Sequence, residues 1–257
     1  MNPTDFRLLE LGGGLVTTGP TMTCWLPPVA RRYADAQFDD YALRGGEGRG
    51  NGRGRYRWQP GTSLSLSARF SHEAEQLAGT AGFGFWNAPF GDPSVRWPAL
   101  PQATWFFFAS PPSNLPFPLA GPGRGWFAAT IDAGRRTAVS LIPFAPLILL
   151  LNQATPLRER LWPRIRQRLG ISFVPLPLAM TEWHQYELSW LRGGCTFQVD
   201  GEIVLQTPHS PRGPLGFVCW MDNQYMVATV NGRFRSGVLP TSETQWLDVQ
   251  SLVIQAA

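Results

Sequence analysis

Apolar and polar positions alternate with period two along residues 62–70, where Ser63-Leu64-Ser65-Leu66-Ser67-Ala68 puts every second side chain on one face. That pattern predicts a half-buried antiparallel strand. Segments 79–86 (GTAGFGFW) and 103–109 (ATWFFFA) are rich in aromatics and bounded by Gly and Pro. Both predict strands central to a sandwich. Segment 125–132 (GWFAATID) predicts another, ending in a turn at Ala133-Gly134. Further strands are expected at 183–190, 195–199, 202–206, 215–222, 224–230 and 246–254. Asp200-Gly201 marks a hairpin, because both central positions of such a turn want positive φ. The first sixty residues offer only short apolar pieces at 23–26 and 38–43, then a Gly- and Arg-rich stretch at 44–57 that reads as a basic loop.

Segment 139–180 breaks this rhythm as an apolar, Arg-rich insertion. Residues 139–151 are nearly all apolar, yet they include Pro143 and Pro146 and fall short of the ~20 needed to cross a bilayer. Thr155-Pro156 has the form of a helix start, and Leu157, Leu161, Ile165 and Leu169 recur every four residues before Gly170. Arg158, Arg160, Arg164, Arg166 and Arg168 take the other face. Pro163 is expected to kink or split this helix. The insertion reads as a stripe packed on the sandwich; a lid over a groove, or membrane-surface contact through 139–170, are the sharper alternatives.

Composition supports a folded all-β chain. The 257 residues are 44% hydrophobic and 16% charged, enough apolar material for a core and too little charge for disorder. A single domain spanning 1–257 is expected, since β-sandwiches reach this length as one unit. The net charge of +4 is carried entirely by arginine, because no lysine is present. Lysine Schiff-base chemistry is therefore excluded. The mildly basic balance reads as a solvated surface and the 44–57 loop as a solvated tip, with phosphate contact the lesser alternative, so nucleic acid is not expected. Cys24, Cys195 and Cys219 lack zinc-site spacing and form no disulfide framework, so no metal or cofactor is expected and they read as buried hydrophobes. The first fifteen residues lack the pattern of a secretory signal, which points to a cytoplasmic location, peripheral to a membrane if the insertion touches one.

The run Trp183-His184-Gln185-Tyr186-Glu187-Leu188-Ser189-Trp190, followed by Phe197-Gln198-Val199-Asp200-Gly201-Glu202, resembles a hallmark of family 16 glycoside hydrolases and their concanavalin A-like relatives. The segment Trp246-Leu247-Asp248-Val249-Gln250-Ser251-Leu252-Val253-Ile254 is similar to the closing strand of that family. Gly82-Phe83-Gly84-Phe85-Trp86 and Trp97-Pro98 resemble the approach to its catalytic strand. The resemblance covers roughly 62–254 and implies a concanavalin A-like jelly-roll β-sandwich of two antiparallel sheets. It also implies a catalytic strand of the form Glu-x-Asp-x-x-Glu, with a nucleophile and a general acid/base. The matching strand here is Gln102-Ala103-Thr104-Trp105-Phe106-Phe107-Phe108, with no carboxylate. Glycoside hydrolysis of the family type is therefore expected to be absent.

Alternation along that strand would line the groove with Gln102, Thr104, Phe106 and Phe108, an aromatic surface suited to a sugar ring or an apolar ligand. Trp86, Asn87 and Asp92 sit on a loop beside it and could orient a polar ligand group, although an Asx-type turn within 87–93 is the better account of Asn87 and Asp92. Trp220, Asp222 and Gln224 share a face if residues 220–226 stay extended, while a turn at Asp222-Asn223 is an equal alternative. A buried Asp222 would gain a raised pKa and could exchange protons. His184 is the histidine that could join it, although its place on a strand with Tyr186, Leu188 and Trp190 favours a core role. His72 is followed by Glu73 on the opposite face, so those two make no natural dyad. Two functions follow: a non-hydrolytic module binding a small hydrophobic or amphipathic molecule or a glycan, or an isomerase, cyclase or hydrolase acting on a hydrophobic metabolite in the same groove.

Overall fold

The computed structural model describes residues 6–41, 56–89 and 99–256. The predicted alternation at 62–70 forms a nine-residue strand, β5 (Thr62–Phe70), after four shorter ones: β1 (Arg7–Leu11), β2 (Leu15–Thr17), β3 (Thr21–Leu26) and β4 (Asp35–Asp39). Next come β6 (Thr80–Trp86), β7 (Gln102–Ala109) and β8 (Gly125–Asp132). A helical excursion follows, and the chain returns through β9 (Ser172–Pro175), β10 (His184–Leu191), β11 (Gly194–Val199) and β12 (Glu202–Thr207). It ends with β13 (Gly216–Asp222), β14 (Gln224–Ala228), β15 (Phe234–Val238) and β16 (Gln245–Ala256).

These strands build two seven-stranded antiparallel sheets, ordered β1-β4-β13-β6-β7-β8-β9 and β12-β11-β10-β5-β16-β3-β2, while β14 and β15 pair apart as a hairpin. The result is a jelly-roll sandwich of two antiparallel sheets. Leu64, Leu66, Ala68 and Phe70 of β5 enter the space between the sheets, where they join Phe83 and Phe85 of β6, Phe217 of β13, and Tyr186, Leu188 and Trp190 of β10. Asp200 and Gly201 both carry positive φ, +51° and +81°, in the turn between β11 and β12. That is the backbone a two-residue hairpin demands.

The excursion comprises α1 (Arg136–Val139), a 3-10 turn (Ile142–Phe144), α2 (Ala145–Leu151) and α3 (Thr155–Arg168). Two expectations change here. Pro163 lies inside one continuous α3, so the split is not seen; Pro156, as expected, falls in the first helical turn, where its missing N–H costs nothing. The anchor of α3 is Trp162, which is buried, whereas Leu157 of the expected stripe is exposed. Among the described residues, no helix is long and apolar enough to cross a membrane.

Candidate functional site

β7 is buried on both faces, and the structure reverses the face expected to line the groove. Phe106 and Phe108 point between the sheets. Phe106 stacks edge-on with Tyr186 at 5.0 Å and Phe197 at 5.3 Å. Thr104 points the same way, its Oγ1 lying 3.6 Å from Cys195 Sγ, and burial pushes the Cys195 thiol up to about 12. Gln102 begins the strand half-buried, its backbone N–H donating to Asn87 Oδ1 at 2.9 Å. The reason is local: every side chain from Ala103 to Ala109 is buried, so hydrophobicity could not set the phase of the alternation. Asn87 is likewise structural, donating from Nδ2 to the Leu100 carbonyl.

The outer face belongs to Trp105 and Phe107, which form a second apolar cluster with Phe127 of β8 and Trp220 of β13. Trp105 lies 4.5 Å from Trp86, 4.9 Å from Phe107 and 5.7 Å from Trp220, ring centre to ring centre. Room for these rings comes from the neighbouring strand. Gly82 and Gly84 of β6 face Phe107 and Trp105 across the ladder. A Cβ on Gly82 would stand 2.3 Å from the Phe106 carbonyl oxygen and 3.1 Å from the Trp220 ring. The Gly-x-Gly in GFGFW therefore signals a face reserved for large rings on adjacent strands. That is the sequence feature that would have found Trp105 and Phe107.

Part of this platform is covered. Trp162 and Ile165 of α3, Leu169 just after it and Phe117 join the same cluster, and Trp162 Nε1 donates to the Pro118 carbonyl at 3.2 Å. Trp86 on β6 and Gln37 on β4 keep partial exposure. The Trp220 indole donates to Thr80 Oγ1 at 3.0 Å. The Trp105 Nε1 is buried with no hydrogen-bond partner among the described residues.

Asp222 closes one end of this face. Its Oδ1 accepts from Thr80 Oγ1 at 2.8 Å, from the Gln224 N–H at 2.9 Å and from the Thr80 N–H at 3.3 Å. Burial raises its pKa to about 6 against the opposing pull of those donors. Asp35 lies opposite Asp222 in the β4–β13 ladder. Burial and the nearby Asp222 and Asp35 carboxylates push the Tyr33 phenol far up. Of the two alternatives for residues 220–226, the bend prevails: β13 ends at Asp222 and buried Asn223 holds the break, donating to the Arg32 and Leu239 carbonyls. Gln224 begins the separate hairpin and does not continue the Trp220 face.

No histidine joins Asp222. His184 lies on β10 in the other sheet, with Nδ1 2.6 Å from Asp200 Oδ2 and Nε2 3.0 Å from the Ala179 carbonyl. Desolvation opposes ionisation of Asp200, yet the bonds from His184 and the Gln185 N–H hold its pKa below the usual range. His184 thus clamps a turn. His72 contacts Ser71 and Glu243, and His209 contacts Ser172. Two surface hollows of about 190 and 120 Å³ lie away from the platform, the first beside Met22 and Val249, the second beside His72 and Gln245. Asp92, Trp97, Pro98 and residues 44–55 of the basic loop lie outside the described residues.

The sequence matches no family model and no curated protein. Its fold is similar to that of an endo-β-galactosidase from Clostridium perfringens that releases GlcNAcα1-4Gal, at 10% identity and a TM-score of 0.47. That match covers 97% of this chain and 59% of the other, so the chain spans less than two thirds of that enzyme's length. The Crh5 transglycosylase, solved with NAG, matches at 11% identity and a TM-score of 0.48 over 99% of this chain and 79% of its own. Rv0315, a pseudo β-1,3-glucanase of Mycobacterium tuberculosis, matches at 10% identity and a TM-score of 0.47 over 92% and 75%. Such likeness concerns the fold alone.

Proposed function

We propose that this protein is a non-hydrolytic binding module that takes a carbohydrate ring on the outer face of the first sheet, between β4 and β7. The observation that carries this is the Trp86–Trp105 pair: a partly exposed indole laid over a buried one whose N–H has no acceptor among the described residues. Indole faces stack on the C–H faces of sugar rings, and a buried donor left unpaired costs about 1–3 kcal/mol, which a ligand oxygen would recover. Rotation of Trp86 would open the way to that N–H. Gln37, Thr80 and Asp222 around Trp220 supply polar atoms for ring hydroxyls. β7 carries no carboxylate, so it offers neither a nucleophile nor a proton donor for glycoside cleavage.

A glycan array followed by calorimetry on its hits tests this reading. Trp86→Ala should weaken binding about tenfold or more by removing the stacking face, and Trp105→Phe about three- to tenfold by removing only the N–H. Silence across the array, with a lipid or terpenoid found by native mass spectrometry of protein from its own host, would replace the sugar with a small amphipathic molecule. That second reading is favoured by the apolar cover of Trp162, Ile165 and Leu169 beside the platform. Chemistry on such a molecule by an isomerase, cyclase or hydrolase would have to rest on Asp222 and Tyr33, without a histidine.

A further inference from the structure

From Thr137 to Leu157 the chain carries no charged residue. In a protein this well packed, such a segment belongs inside, yet its large side chains face outward. Phe144 is 58% exposed, Leu147 52% and Leu150 67%. They cluster on the 3-10 turn and α2, and Phe234 of β15 adds a ring that is 72% exposed. The tip is fastened to the hairpin: Asn152 Nδ2 donates to the Val230 carbonyl at 2.9 Å and Gln153 Nε2 to the Asn231 carbonyl at 2.7 Å. A Cβ on Gly232 would meet Leu149 at 3.2 Å, so helix and hairpin pack closely. An apolar surface held this firmly has a fixed shape to present. Contiguous exposed apolar surface of this kind marks an interaction site.

The charges around it choose the partner. Arg136 precedes the apolar stretch, Arg158 and Arg160 follow it, and Arg233 stands beside Phe234 on the hairpin. Glu159 is the only acidic residue between 133 and 171. We infer that residues 139–151, with Phe234, form a tip that inserts into the surface of an anionic lipid bilayer, its arginine collar resting on the headgroups. Two copies meeting through this surface would press like charges together. An anionic bilayer instead accepts the apolar side chains and neutralises the collar, each basic residue near such a surface contributing about 1 kcal/mol. The seven-residue α2 is about 10 Å long, which suits interfacial insertion and not a span.

Docking here needs no ligand on the aromatic platform. It would, however, place α3, whose Trp162 covers the aromatic platform, against the membrane.

Co-sedimentation of the full chain with phosphatidylcholine vesicles, with and without phosphatidylglycerol, tests the inference. The protein should pellet with the anionic vesicles, bind them less as salt rises, and bind neutral vesicles far more weakly. Leu147→Glu/Leu150→Glu should lower vesicle affinity at least about tenfold, and Arg160→Gln/Arg233→Gln should remove most of the preference for anionic lipid. These side chains are exposed, so thermal melts should match the parent protein; Phe144→Ser serves as the second apolar variant if the double substitution fails to fold. Equal binding by the parent and apolar variants would overturn the inference. So would a parent protein that ignores both vesicle types, or light scattering that shows dimerisation through this surface, abolished by Leu150→Glu.

Discussion

The indole rings of Trp86 and Trp105 lie 4.5 Å apart, and Gly84 faces Trp105 directly across the β6–β7 ladder. A Cβ on Gly84 would stand 2.6 Å from Trp105 Cα, at a φ of +146° that few side chains tolerate. Gly84→Ala is predicted to cost about 1–3 kcal/mol from backbone strain, with the steric clash in addition. Urea denaturation measures this. An unchanged midpoint would show that the ring face yields more easily than its packing implies.

Trp162 provides the contact through which α3 covers the platform. Trp162→Ala should destabilise by about 3–5 kcal/mol, the usual cost of deleting a large buried ring. Acrylamide quenching of the remaining tryptophans should rise as Trp105 and Trp220 become accessible. Quenching identical to that of the parent would mean that the helix does not shield those rings.

Burial lifts both Asp222 and Asp40 to about 6. A carboxyl with a raised native pKa binds its proton more tightly folded than unfolded, so between about pH 4 and 6 the native state holds more protons. Stability should therefore be greatest below that window and fall as pH rises through it. At about 1.4 kcal/mol per pH unit, Asp222 alone accounts for a loss of order 2–3 kcal/mol at neutral pH. Asp222→Asn keeps the oxygen that accepts from Thr80 and Gln224 and removes the charge. Urea midpoints across pH should show the variant more stable than the parent at pH 7 and the slope flattened; a parallel pair of curves would contradict the burial argument.

His184 bridges Asp200 and the Ala179 carbonyl in the sheet that does not carry the platform. His184→Gln should cost about 0.5–1.5 kcal/mol, the range of an ordinary hydrogen bond, because Asp200 is half exposed and its charge is screened. Ligand affinity should be unchanged. A tenfold loss of affinity at constant stability would instead assign His184 to the site.

Much of the sandwich was legible without coordinates. The Ser-Leu alternation of β5, the Asp200-Gly201 turn and the aromatic runs of β6, β7 and β8 each carry a local signal that pleat geometry or turn sterics makes specific. The short strands β1, β2, β9 and β15 carried none, because three to five residues at an edge need only a partner's backbone. The site was harder to read. Thr104, Phe106 and Phe108 face the core, while Trp105 and Phe107, one position along, face outward. Asp35 and Thr80 come from other parts of the chain and meet Asp222 only through strand pairing, and Tyr33 lies in the segment just before β4.

The sequence by itself determined that β7 holds no carboxylate, that 82 and 84 are glycines, and that 137–157 has no charge. These follow from side-chain identity, which folding cannot alter. Tertiary structure alone decided which face of β7 receives the rings and that Trp162 anchors the covering helix. It also decided that the uncharged segment ends on the surface. Each depends on which neighbour fills the opposing space, and a strand or helix apolar on every side contains no information about that neighbour.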